Sequence, residues 1–65
     1  MRILVNGAPR DVGSVTLDAL LVELAYTERR IATALDGDFV PAAHRPSQAL
    51  RAGCRIEIVS PMQGG

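Results

Sequence analysis

At 65 residues with 48% apolar side chains, the chain allows one domain with one core and lies near the lower size limit for independent folding. Seven arginines balance seven acids, so the net charge is zero and the basic patch that nucleic acid demands is missing; Tyr26 and Phe39 are the only aromatic residues and offer no base-stacking platform. One cysteine and one histidine exclude an internal disulfide and a Cys/His metal set, no apolar run nears the ~18 residues of a membrane helix, and the opening lacks the length and cleavage site of a secretion signal, so a cytoplasmic, metal-free protein is expected.

The opening Met1-Arg2-Ile3-Leu4-Val5 alternates with period two and predicts a strand with Met1, Ile3 and Val5 on one face and Arg2, Leu4 and Asn6 on the other. Asn6-Gly7 tolerates the positive φ of a tight hairpin, and a return strand is expected at Arg10 to Val12, ended by Gly13. Leu17, Leu20, Leu21 and Leu24 then follow the i, i+3, i+4, i+7 spacing of an amphipathic helix. Thr16 is its expected N-cap, and Asp18 suits the positive end of its dipole.

A polar connector, Thr27 to Arg30, leads to a third strand expected at Ile31 to Leu35 and well buried. Asp36-Gly37-Asp38 forms a turn, and Phe39-Val40 a short strand stopped by Pro41. The segment from Pro41 to Leu50 carries two prolines and no clear period, which predicts a loop with one helical turn, anchored by Leu50. After an Ala52-Gly53 turn, Arg55 to Val59 forms the last strand, with Ile56 and Ile58 facing inward and Arg55, Glu57 and Val59 outward. This order predicts a two-layer α+β sandwich of about five strands crossed by one helix. If the first and last strands lie side by side at the centre, they run parallel.

Residues 1–60 are expected to form the domain and 61–65 a projecting tail, since Pro61 cannot donate to a sheet ladder and Met62, Gln63, Gly64 and Gly65 lack strand character. Two glycines without Cβ atoms can thread a narrow channel and leave the carboxylate of Gly65 unshielded. A carboxylate is a poor electrophile, so its use as an acyl donor requires activation, most simply as an acyl-adenylate. The chain has no glycine-rich phosphate loop, which puts the ATP site on a partner. The absence of lysine argues against joining copies of this chain to one another.

The stretches "MRILVNG", "TLDALLVEL" and "ALDGDFVP", with "GCRIEIV" leading to a terminal "QGG", resemble the thiamine-biosynthesis sulfur carrier (ThiS) family over essentially the whole length. That family more often has asparagine where Asp36 stands and an acid where Cys54 stands. The resemblance implies a ubiquitin-like β-grasp fold and a carrier with no catalytic residue and no bound cofactor of its own. A partner adenylyltransferase would activate Gly65 with ATP and Mg²⁺, and a cysteine-derived persulfide donor would convert it to a thiocarboxylate. Thiazole synthase would then take the sulfur for the thiazole of thiamine. Met62, Gln63 and Gly64 would thread the partner's channel. Val59, outward and next to the tail, is the expected partner-docking residue together with Leu4. The small subunit of molybdopterin synthase, carriers for tRNA thiolation or cysteine synthesis, and a β-grasp binding module that makes no use of its terminus are the competing readings. Cys54 reads as a passive turn residue, and His44 as a surface residue.

Overall fold

The computed structural model describes residues 1–27 and 30–60. Four short strands and a longer fifth form one mixed sheet in the order β2-β1-β5-β3-β4. Strand β1 (Arg2–Val5) pairs antiparallel with β2 (Ala8–Asp11) through a two-residue turn, Val5 standing opposite Ala8. Asn6 and Gly7 have φ of 50° and 84°, the pair of left-handed conformations that matches a hairpin to the twist of its strands. Because the turn closes at once, β2 starts at Ala8, two residues before the expected Arg10, and ends at Asp11. It is an edge strand, which is why Pro9 is accommodated within it. Arg2 Nε and Nη2 donate to the two Asp11 carboxylate oxygens across this pair at 3.2 and 3.1 Å.

Helix α1 (Leu17–Glu23) is capped by Thr16, whose Oγ1 accepts from the Ala19 N–H at 3.2 Å. Leu17, Leu20 and Leu21 are buried against the sheet, and Leu24 is partly so, as the leucine spacing requires. The helix ends where Tyr26 N–H donates to Leu21 O and Ala25 N–H to Val22 O, the two bonds of a Schellman cap. That cap puts Ala25 at φ 63°, a conformation glycine takes without a Cβ clash. Glu23 reaches back to the β2–α1 loop and accepts from Gly13 N–H, Ser14 N–H and the Ser14 hydroxyl.

Strands β3 (Ala32–Leu35) and β4 (Asp38–Val40) form the second hairpin, with Leu35 opposite Asp38 and positive φ at Asp36 and Gly37. Within β3 only Thr33 is buried, so the strand is less enclosed than its small residues suggested: Ala32 and Ala34 stand on the face that α1 leaves open. The Thr33 hydroxyl donates to Val40 O at 2.8 Å and accepts from Arg45 Nε at 3.1 Å, while Arg45 Nη2 donates to Ile31 O. Arg45 lies on a six-residue 3-10 helix, Ala42–Ser47, longer than the single turn expected. Beyond it, Leu17 N–H donates to Gln48 O and Leu50 N–H to Val15 O, tying this segment to the start of α1 with Leu50 in the core.

Strand β5 (Arg55–Val59) occupies the sheet centre, parallel to β1 and antiparallel to β3. Ile56 and Ile58 are buried with Ile3, Val5 and the helix leucines. Cys54, just ahead of it, is buried too, and its carbonyl accepts from Leu4 N–H at 3.0 Å. The architecture is the ubiquitin-like β-grasp, with one helix across an open sheet of five strands.

Two stability predictions follow from the helix ends. Replacing Ala25 by glycine removes the Cβ penalty at φ 63° and should raise unfolding stability by about 1 kcal/mol, read as a higher urea midpoint at unchanged slope. Hydrogen bonds from Ser14 and Gly13 hold the Glu23 carboxyl below its ordinary value of 4.5. A carboxyl lowered by folding contributes stability that is present above that value and is lost as pH falls through the folded-state value. Glu23→Gln should therefore be less stable than the parent at neutral pH, and the gap should close in acid.

Candidate functional site

The residues that the sequence singles out divide between a sheet face and the segment beyond β5. Met62, Gln63, Gly64 and Gly65 lie outside the described residues, as does the boundary between domain and tail expected at position 61. What the structure describes is the support from which that segment departs. Ser60, the last described residue, follows β5 and is buried. Ile58 is opposite Thr33 and Val59 opposite Ala32, so β5 is paired with β3 through its last residue.

The open face is assembled by alternation. Pro9, Leu4 and Arg55 form one row across β2, β1 and β5; Glu57, Ala34 and Phe39 form a second across β5, β3 and β4; Val59 and Ala32 form a third. Val59 is 61% exposed and points away from the core, where the sequence put it. Leu4 shares its face but is half-buried beside Arg55. Val59 lies four residues beyond Arg55 along β5, about 13 Å at strand rise. Leu4 and Val59 are thus opposite ends of one surface, with Glu57 between them.

Phe39 is the residue that the sequence reading passed over. It is 68% exposed, the largest apolar side chain held out to solvent on this face. In a short strand Phe39-Val40 only one residue can face the core, and the two-residue Asp36-Gly37 turn decides which: it sets Phe39 against outward Ala34 and Val40 against buried Thr33. The register carried the signal, and composition did not. A shallow hollow lined by Leu4, Gly7, Arg55, Ile56 and Glu57 opens at the β1 end of the same face.

His44 is exposed on the 3-10 helix, its backbone N–H bonded to Pro41 O. Among the described residues no group of three or more His, Cys, Asp or Glu side chains is placed to hold a metal ion, and no helix is long and apolar enough to cross a membrane. The buried Cys54 is held in the turn before β5 by a bond from its N–H to Arg51 O.

Arginine at Val59 or Phe39 should leave unfolding stability within about 0.5 kcal/mol of the parent, since neither side chain is packed in the core. Urea denaturation of Val59→Arg and Phe39→Arg checks this, and makes both variants usable for binding measurements.

The family model for ThiS matches residues 3–65, from within β1 to the final glycine. A thiazole synthase from Paramagnetospirillum magneticum (strain ATCC 700264 / AMB-1) is 33% identical over 66 residues, covering all of this chain and 20% of that protein. The chain therefore spans about a fifth of the length of that relative. The crystal structure of a thiamine biosynthesis protein (ThiS) from Geobacter metallireducens superposes with a TM-score of 0.86 at 25% identity, over 100% of both chains. These likenesses support a sulfur-carrier role in thiamine biosynthesis. On the match from residue 3 to residue 65, the chain belongs to the ThiS family.

Proposed function

We propose that this protein carries sulfur as a thiocarboxylate on Gly65 and donates it to the thiazole moiety of thiamine. The observation that carries the reading is the family match running through Gly64 and Gly65 on a domain whose central strand leads directly into that segment. The carboxylate of Gly65 attacks the α-phosphate of ATP in a partner adenylyltransferase, and pyrophosphate leaves. Magnesium on the nucleotide belongs to the partner's site. The outer sulfur of a cysteine-derived persulfide then attacks the acyl carbon and expels AMP. A thiol next takes the inner sulfur as a disulfide, and the Gly65 thiocarboxylate is released.

The carrier contributes no acid, base or nucleophilic side chain to these steps. Its contribution is presentation. Gly64 and Gly65 admit a narrow channel because they lack Cβ atoms, while Met62 and Gln63 line its approach. Val59, Phe39 and Leu4 form the docking face, which engages the adenylyltransferase and the thiazole synthase in turn. A thiazole synthase that includes a segment similar to this whole chain supports the second partnership, since fusion keeps a carrier at high effective concentration beside the protein that uses it. The site of action is the cytoplasm, where the persulfide donor and free thiols coexist.

Intact-mass analysis after incubation with the adenylyltransferase, ATP, a cysteine desulfurase and cysteine should show one oxygen replaced by one sulfur, located at Gly65 by fragmentation. Deleting Gly65 should abolish the product, whereas Val59→Arg should slow its formation at least tenfold through weaker docking. An unmodified parent protein under these conditions would overturn the reading.

A further inference from the structure

The geometry points to Asn6 as a positioning residue: its side-chain amide stands in for the missing end of β1 and holds the backbone of β5 at Ile58, near the strand's C-terminal end. The consequence for the reaction rests on the sulfur-carrier reading; the clamp itself does not.

Along a strand, the N–H and C=O of one residue point to the same side and those of the next residue to the other. Cys54, Ile56 and Ile58 direct theirs toward β1. The first two are met by its backbone, Leu4 N–H donating to Cys54 O at 3.0 Å and Asn6 N–H to Ile56 O at 2.8 Å. The next rung, at Ile58, would need a further carbonyl and N–H, but the chain has already reversed at Asn6-Gly7. The Asn6 side chain supplies both. Its Oδ1 accepts from Ile58 N–H at 2.8 Å, and its Nδ2 donates to Ile58 O at 3.1 Å. On the opposite edge Val59 is held by β3, so Ile58 is the place where the strand's end depends on one side chain.

Only asparagine meets every demand at this position. The turn requires φ of 50°, which glycine, asparagine and aspartate tolerate. Glycine has nothing to reach with, and an ionised aspartate lacks the donor that Ile58 O needs. Without the Asn6 bonds, the end of β5 would be held on its β3 edge alone. A reactive end that must enter a partner's channel would then search a larger volume before docking.

The test compares the full chain with Asn6→Gly, which keeps the turn and deletes the clamp, and with Asn6→Asp, which keeps the acceptor alone. Amide hydrogen exchange should accelerate about tenfold at Ile58 in Asn6→Gly, and by less in Asn6→Asp, which still accepts from Ile58 N–H, while Ile56, on a backbone rung, keeps its protection. In the adenylation reaction, followed by pyrophosphate release, the carrier's KM should rise three- to tenfold with kcat within twofold, because the docked partner re-imposes the strand's order. Unchanged exchange at Ile58 would refute the clamp. Equal loss at Ile56 and Ile58, or lost protection with an unchanged KM, would reduce Asn6 to a stability residue and overturn the positioning role. If the parent chain is not adenylated at all, the carrier reading fails and the positioning role goes with it, while exchange at Ile58 still decides whether the clamp exists.

Discussion

The seating of β5 between β1 and β3 is the constraint on which the molecule depends. A strand with neighbours on both edges and an apolar face under a helix has every backbone group and every alternate side chain committed. Fully burying an isoleucine contributes about 1.5–3 kcal/mol, and a domain of this length has a net stability of only about 3–10 kcal/mol. Ile56 and Ile58 together are therefore comparable with the whole margin. No disulfide among the described residues constrains the unfolded chain, so the packing of this strand bears directly on whether the domain folds.

Both hairpins serve that strand beyond reversing the chain. Asn6 and Asp36 occupy the same left-handed position in their two turns, with φ of 50° and 49°, and each reaches β5 at an opposite end. Their different identities have a physical reason. At the N-terminal end Asp36 N–H donates to Arg55 O, so the side chain has only to accept from Arg55 N–H, and a carboxylate suffices. At the C-terminal end the Asn6 N–H is already engaged by Ile56, and the side chain must both give and receive, which needs an amide. The aspartate at 36 leaves neither Arg55 backbone group without a partner.

Much of this was legible in the sequence because it depends on local periodicity. The alternation of β1 and β5, the four-leucine stripe and the two Asx-Gly turns each declare a face or a reversal within a few residues, and the parallel β1–β5 pairing follows from placing them in one sheet. The rest depends on register or on distant partners. The early start of β2 and the outward direction of Phe39 follow from turns that close in two residues, a matter of counting that composition does not encode. Arg45 reads as a loop cation; that it bridges Thr33 and Ile31 is decided by a 3-10 helix folded over the sheet edge. Ala25 in a left-handed cap gives no signal, because glycine is the residue one would look for.

On the proposed function, a diglycine end has no side chain with which a partner can tell one carrier from another, so the choice among carriers would be made on the folded domain. The open face is suited to that. Its exposed apolar residues, Val59 and Phe39, lie on different strands, and Arg55 and Glu57, on the same strand as Val59, line the hollow beside Leu4. Opposite charges two residues apart on one strand fix the orientation of an approaching surface, and a partner with the wrong sign at either position leaves a charge unpaired. Apolar contact then supplies adhesion and the charge pair supplies identity. Because β5 carries that charge pair and leads in sequence to the diglycine end, recognition of the face and presentation of the proposed reactive end would depend on one strand, held at both of its ends.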